Sequence, residues 1–104
     1  MKKALFLDRD GVINIDKGYV WQKKDFILVE GIINLMEYFQ KRDYLIIVVT
    51  NQSGIARGYY SEQDYKSFNE WMVHFFKEKG IIIDRIYYCP HHPINGFGKL
   101  FSSN

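Results

Sequence analysis

Apolar residues recur along this chain in two rhythms. Residues 3–8 (KALFLD) and 44–50 (YLIIVVT) are short, nearly unbroken apolar runs, the second rich in β-branched side chains. Runs of this length without alternation predict strands covered on both faces, as in a parallel sheet. A third run, IIIDRIYY at 81–88, predicts another strand. Between the strands the period lengthens to that of a helix. Ile32, Leu35, Met36 and Phe39 mark one helical face within 31–40, and Tyr65, Phe68, Met72, Phe75 and Phe76 mark a second. Ser61 with Asp64 three residues later predicts the start of that second helix as a capping-box variant, and Gly80 predicts its end. Residues 12–29 show no clear period and carry Gly18, Tyr19 and Trp21, which predicts a flap loop. The order strand, helix, strand, helix, strand predicts right-handed crossovers and a parallel α/β sheet. No linker composition or repeat divides the chain, so residues 1–104 read as a single domain.

Composition changes this picture little. The chain is 47% hydrophobic and 25% charged, a globular balance, and its 17% aromatic content helps a small core bury area. The net charge is +2 with Lys and Arg scattered, which argues against a nucleic-acid partner. No apolar run approaches the ~20 residues of a membrane span. The early apolar run breaks at Asp8, too soon for a signal peptide. A single cysteine excludes an internal disulfide and suits a reducing compartment, so a cytoplasmic location is expected.

Candidate chemistry gathers where the strands end. In an open parallel sheet, ligands bind beyond the carboxyl ends of the strands. Three polar clusters fall there: Asp8-Arg9-Asp10, Thr50-Asn51-Gln52-Ser53 and Cys89-Pro90-His91-His92. Two carboxylates one residue apart repel each other unless a cation sits between them. Mg²⁺ suits such a pair, because it takes few protein oxygens and keeps positions free for phosphate. Asp8 would then act as nucleophile and Asp10 would handle the proton. TNQSGIARG offers a hydroxyl, a side-chain amide and free N–H groups to an anion. Taken alone, that stretch reads rather as an ordinary helix cap, and Arg57 equally as a surface charge. His74, inside an aromatic helix, is expected to pack rather than to catalyse.

FLDRDGVIN, DKGYV, VVTNQSGIARG and IYYCPHHP, in this order, resemble the histidinol-phosphatase-like group of the haloacid dehalogenase superfamily. The resemblance covers residues 4 to about 93. It implies a Rossmann-like three-layer α/β/α fold and a Mg²⁺-dependent phosphatase of a sugar bisphosphate working through an aspartyl-phosphate. Histidinol phosphate or another small phosphomonoester is the alternative substrate. On this resemblance Asp8 is the nucleophile, Asp10 is the general acid and base, and Mg²⁺ is held by Asp8 and Asp10. Thr50 and Asn51 grip the transferring phosphoryl group. Asp16, Lys17, Gly18 and Tyr19 form the substrate-contacting flap, with Gln52, Ser53 and Arg57 in the same pocket. Cys89 and His91 match the first half of a structural Zn²⁺ loop.

The sequence also departs from the family. No cysteine follows Cys89 and no Asp or Glu follows Asp84, whereas the family closes the zinc loop with Cys-x-Cys, follows it directly with an Arg-Lys pair as a third motif, and completes its Mg²⁺ site with a later acidic motif. The expectation is a fold incomplete on its C-terminal side, with residues 89–104 a truncated zinc-loop region and tail that lacks stoichiometric zinc. A catalytically dead fragment or binding module is the alternative function. A monomer is expected, and a dimer through the incomplete sheet or pooled zinc half-sites is the second arrangement.

Overall fold

The computed structural model describes residues 2–89. The elements are β1 (Ala4–Asp8), α1 (Ile32–Gln40), β2 (Leu45–Asn51), α2 (Ser53–Ala56), α3 (Glu62–Lys77) and β3 (Arg85–Cys89), with a 3₁₀ turn at Lys23–Asp25. The strands form one parallel sheet in the order β1-β2-β3. Leu7 lies opposite Val48 and Asp8 opposite Val49, while Thr50 lies opposite Tyr88. All three strands therefore end on the same edge.

Both crossovers step in the same direction across the sheet. Being right-handed, they must deliver their helices to the same face. Side-chain burial agrees. Leu7, Ile46 and Val48 form one core with Ile32 and Met36 of α1 and with Met72 and Phe76 of α3. Alternation sends Ala4, Phe6, Leu45, Ile47, Val49 and Tyr87 to the other face. Ile47 is buried but stands outside that core, and its ladder partner Phe6 is 58% exposed. Among the described residues the strands are thus covered on one face by α1 and α3, where the unbroken apolar runs suggested cover on both. The described residues form the parallel sheet and one helix layer of the expected architecture.

Other boundaries moved for local reasons. Leu35 is 39% exposed, and α1 instead turns Ile32 and Met36 inward with Ile33 and Phe39 half-buried beside them. The capping box at α3 is present: Ser61 Oγ accepts from the Asp64 N–H at 2.9 Å, and the Asp64 carboxylate accepts from the Ser61 N–H at 3.0 Å. His74 does not pack. Its side chain is 69% exposed and pairs with Glu78 at 3.4 Å along the helix surface. Residues 81–84 do not extend β3, because the Asp84 carboxylate takes the Ile46 N–H at 2.8 Å that a strand carbonyl would otherwise accept. Ile81 and Ile83 are nonetheless buried.

The 12–29 segment is anchored rather than loose. Asn14 bridges both Asp10 and Leu28. Phe26 presents its ring edge-on to Phe68, Trp71, Phe75 and Phe76 of α3 at centroid distances of 5.6–6.4 Å. Edge-to-face pairs each stabilise by about 0.5–1.5 kcal/mol beyond their burial. This anchor carries the flap back over the strand ends.

Candidate active site

The turn after β1 is built around one carbonyl. The Arg9 carbonyl accepts from the N–H groups of Val12, Ile13 and Asn14 at 3.3, 2.8 and 3.1 Å. So tight a turn needs left-handed backbone, and Gly11 supplies it at φ +93°. The turn separates the two carboxylates by environment. Asp10 accepts from Arg9 Nε at 3.2 Å, from Arg9 Nη2 at 3.0 Å and from Asn14 Nδ2 at 2.9 Å. The Asp8 carboxylate makes no hydrogen bond or ion pair to another described residue and is exposed at the sheet edge.

Arg9 is the keystone of this arrangement. It is 1% exposed, and its Nη2 also donates to the Val20 carbonyl at 2.5 Å. Its guanidinium carbon sits 5.1 Å from the centre of the Phe68 ring. One buried cation therefore ties the Asp10 turn, the flap and α3 together. A bidentate fork with a stacking face suits Arg and not Lys.

A cavity of about 450 Å³ opens beyond the strand ends. Asp8, Asp10 and Asp16 line it, with Gly18 and Tyr19 of the flap, Val49, Thr50, Asn51 and Gln52 of the β2 end, and Tyr60. Three carboxylates thus line a cavity whose wall carries no Lys or Arg among the described residues. Asp16 Oδ1 accepts the Gly18 N–H at 2.9 Å, which shapes the flap tip. The back of the cavity is a buried chain of polar groups. The Tyr60 hydroxyl donates to Gln52 Oε1, and Gln52 Nε2 donates to Thr50 Oγ1. Burial pushes the Tyr60 phenol up to about 12, with Arg9 opposing and Asp10 and Tyr19 adding to the rise, so it stays protonated and able to donate at neutral pH. Trp21 of the flap stacks on the Tyr60 ring at 5.6 Å. Gly54 at the start of α2 makes room: a Cβ there would come 2.4 Å from the Tyr60 ring and 2.8 Å from the Tyr19 ring.

Eight of the residues singled out in the sequence line this cavity: Asp8, Asp10, Asp16, Gly18, Tyr19, Thr50, Asn51 and Gln52. Lys17, Ser53 and Arg57 do not. Lys17 is exposed on the flap, Ser53 opens α2, and Arg57 is exposed at its C-terminal cap. Cys89 ends β3, whereas His91 and the rest of the expected zinc loop and tail lie outside the described residues. Tyr60 and Asn14 are additions to the residues read from the sequence, and Arg9, named there only as part of a polar cluster, gains a role. Tyr60 carried one usable signal, since an aromatic just before a capping box is placed to staple the helix entry.

No family model matches the chain. Among curated proteins it is 54% identical over 93 residues to the D-glycero-beta-D-manno-heptose-1,7-bisphosphate 7-phosphatase of Haemophilus ducreyi, covering 88% of this chain and 51% of that one. It is 56% identical over 89 residues to the D-glycero-alpha-D-manno-heptose-1,7-bisphosphate 7-phosphatase of Campylobacter jejuni, covering 86% and 52%. Over that shared half the chain is similar to the heptose-bisphosphate 7-phosphatases. The crystal structure of D,D-heptose 1,7-bisphosphate phosphatase from B. bronchiseptica, complexed with magnesium and phosphate, superposes with a TM-score of 0.80 at 32% identity, over 90% of this chain and 53% of that one. This haloacid-dehalogenase-like fold is thus present in part, and the chain spans about half the length of the heptose-bisphosphate 7-phosphatases it matches. Matches named for the alpha and for the beta anomer stand at nearly equal identity, so overall similarity does not select the anomer. Among the described residues no helix is long and apolar enough to cross a membrane.

Proposed function

We propose that the chain carries the phosphoryl-transfer centre of a Mg²⁺-dependent 7-phosphatase of D-glycero-D-manno-heptose 1,7-bisphosphate, acting in the cytoplasm in the synthesis of lipopolysaccharide heptose. The observation that carries this reading is the unequal pair at the end of β1. Asp8 is free at the cavity, while Asp10 is held in a fork by Arg9 and Asn14. A nucleophile must be unencumbered, and a proton-handling group must be fixed. An Asp8 oxygen attacks the 7-phosphoryl phosphorus, the bond from phosphorus to the sugar oxygen breaks, and Asp10 gives that oxygen a proton. Water then attacks the aspartyl-phosphate phosphorus and loses a proton to Asp10, which releases phosphate and restores the Asp8 carboxylate. Thr50 and Asn51 hold the transferring group from the neighbouring strand. Asp16, Gly18 and Tyr19 contact the sugar from the flap.

The wall fits Mg²⁺ by its chemistry. Its donors are hard oxygens, and three carboxylates facing a bisphosphate would repel it without a cation. Among the described residues no three His, Cys, Asp or Glu side chains group closely enough to hold a metal ion by themselves. The Asp8 carboxylate and the Asp10 backbone carbonyl would hold it. When bound, it supplies the positive charge that the phosphoryl oxygens need. Residues 1–104 are proposed as a single monomeric domain in which Cys89 and His91 supply only the first half of a zinc loop.

Phosphate release from the heptose bisphosphate, from histidinol phosphate and from an aryl phosphate tests this, each with Mg²⁺ and with EDTA. The bisphosphate should be preferred, EDTA should stop release, and Asp8→Asn should cost at least about 10³-fold. Release that survives Asp8→Asn overturns the reading.

A further inference from the structure

A hydroxyl that grips an anion must point its proton at it, and Thr50 has one proton to give. Thr50, Gln52 and Tyr60 are 3%, 1% and 5% exposed, so water does not set their orientations. Gln52 sits between the other two, with one acceptor oxygen and two N–H donors. Its oxygen accepts from Tyr60, which turns its N–H₂ towards Thr50 Oγ1. With its oxygen accepting from Gln52, Thr50 keeps its own proton free, and no other described group accepts it. The remaining direction is the cavity that Thr50 lines. The opposite amide orientation would make Thr50 donate to Gln52 and meet an anion oxygen with a lone pair. It would also leave the buried Tyr60 proton without a described acceptor, which is unfavourable.

We infer that Tyr60 and Gln52 are positioning residues that fix the direction of the Thr50 hydroxyl, making it a donor to the phosphoryl group. The inference rests on the phosphatase reading for the identity of the anion and goes beyond it in naming the relay. The chain runs one way: Tyr60 donates to Gln52, Gln52 to Thr50, and Thr50 to the phosphoryl oxygen. Tyr60 acts on the phosphoryl group through Gln52 and Thr50, as a positioning residue. Its ring has a separate job, stacking under Trp21 of the flap, and Tyr60→Phe keeps that ring while removing the proton that orders the relay.

The test measures inorganic phosphate binding by calorimetry in the presence of Mg²⁺, for residues 1–104 and their variants. Tyr60→Phe should weaken binding about 3- to 10-fold, the scale of one hydrogen bond gained or lost. Gln52→Glu, which presents acceptors at both ends, should weaken it more. In a Thr50→Val background, Tyr60→Phe should have no further effect, because the proton being aimed is gone. The Gln52 side-chain amide protons should exchange slowly by NMR in the parent and faster in Tyr60→Phe, while the circular dichroism of that variant stays unchanged. Binding that ignores Tyr60→Phe, or an equal loss in both Thr50 and Thr50→Val backgrounds, overturns the relay and leaves the phosphatase reading standing. A parent chain that binds no phosphate with Mg²⁺ overturns both.

Discussion

The two faces of the sheet are made from the same strands and have had different fates. On one, Leu7, Ile46 and Val48 lie under α1 and α3 and are 5% exposed or less. On the other, Phe6 is more than half exposed and Val49 is half-buried, although Ile47 beside them is buried. The site straddles the two. Thr50 follows Val48 on the covered side, where it is buried and backed by Gln52 and Tyr60. Asp8 follows Phe6 on the open side, where it stands exposed with Asn51. The difference teaches that the covered side holds the preorganised part of the site, with its donors already aimed, and the open side holds the reactive part. Burial supplies order, and the reactive carboxylate keeps its access.

The sharpest way to break this comparison uses neighbours in sequence. Leu7→Ala should cost about 2–5 kcal/mol, as expected for removing a large side chain from a packed core. Urea denaturation measures it. A loss below about 1 kcal/mol would mean that α1 and α3 do not seal this face, and the contrast would collapse.

Alkaline pH gives a second, smaller separation. Burial raises the Tyr60 phenol from 10.0 to about 12 in the folded chain. A group that holds its proton more tightly when folded stabilises fully below its unfolded value. That stability is lost as pH rises, because the unfolded chain ionises first. The window here runs from about pH 10 to 12. Two units correspond to at most about 2–3 kcal/mol, to which the likewise raised Tyr65 adds in the same direction. Tyr60→Phe should flatten the fall in stability between pH 10 and 12. An unchanged slope would place Tyr60 in solvent and dissolve the ordered side of the site.

How far the chain could be read without coordinates follows the same division. The three strands, both long helices and the Ser61–Asp64 capping box were legible, because each is written in local residue order. Asp8, Asp10, Thr50 and Asn51 were legible as a converging set because strand ends in a parallel sheet share an edge. The partly open second face of the described strands was not. An apolar run such as ALFLD states that a strand is apolar on both sides, but not that both sides have been given partners. Leu35 was misplaced for a related reason: the period allows it or Ile33 to turn inward, and packing against β2 chose Ile33. Arg9 and Tyr60 escaped because a buried cation and a buried phenol look like surface residues until their partners, Val20 and Gln52, arrive from 11 and 8 residues away.

The smallest expected effect is also the most pointed. Phe6 and Leu7 are adjacent, yet they face opposite sides of β1. Phe6 is already 58% exposed, so replacing it forfeits little burial. Thr keeps the β-branched fit to a pleated strand that Ala or Gly would lose. Phe6→Thr should therefore change stability by no more than about 0.5 kcal/mol, the range of ordinary surface substitutions. Stability alone would not tell an open apolar face from a merely tolerant one, so a second measurement is needed. Contiguous exposed apolar surface binds hydrophobic dyes, and the face around Phe6 also carries Ala4, Leu45 and Val49. The 8-anilinonaphthalene-1-sulfonate fluorescence of residues 1–104 should fall with Phe6→Thr, although the protein is no less folded. A destabilisation approaching that of Leu7→Ala would show that Phe6 is packed after all, and the two faces would no longer differ.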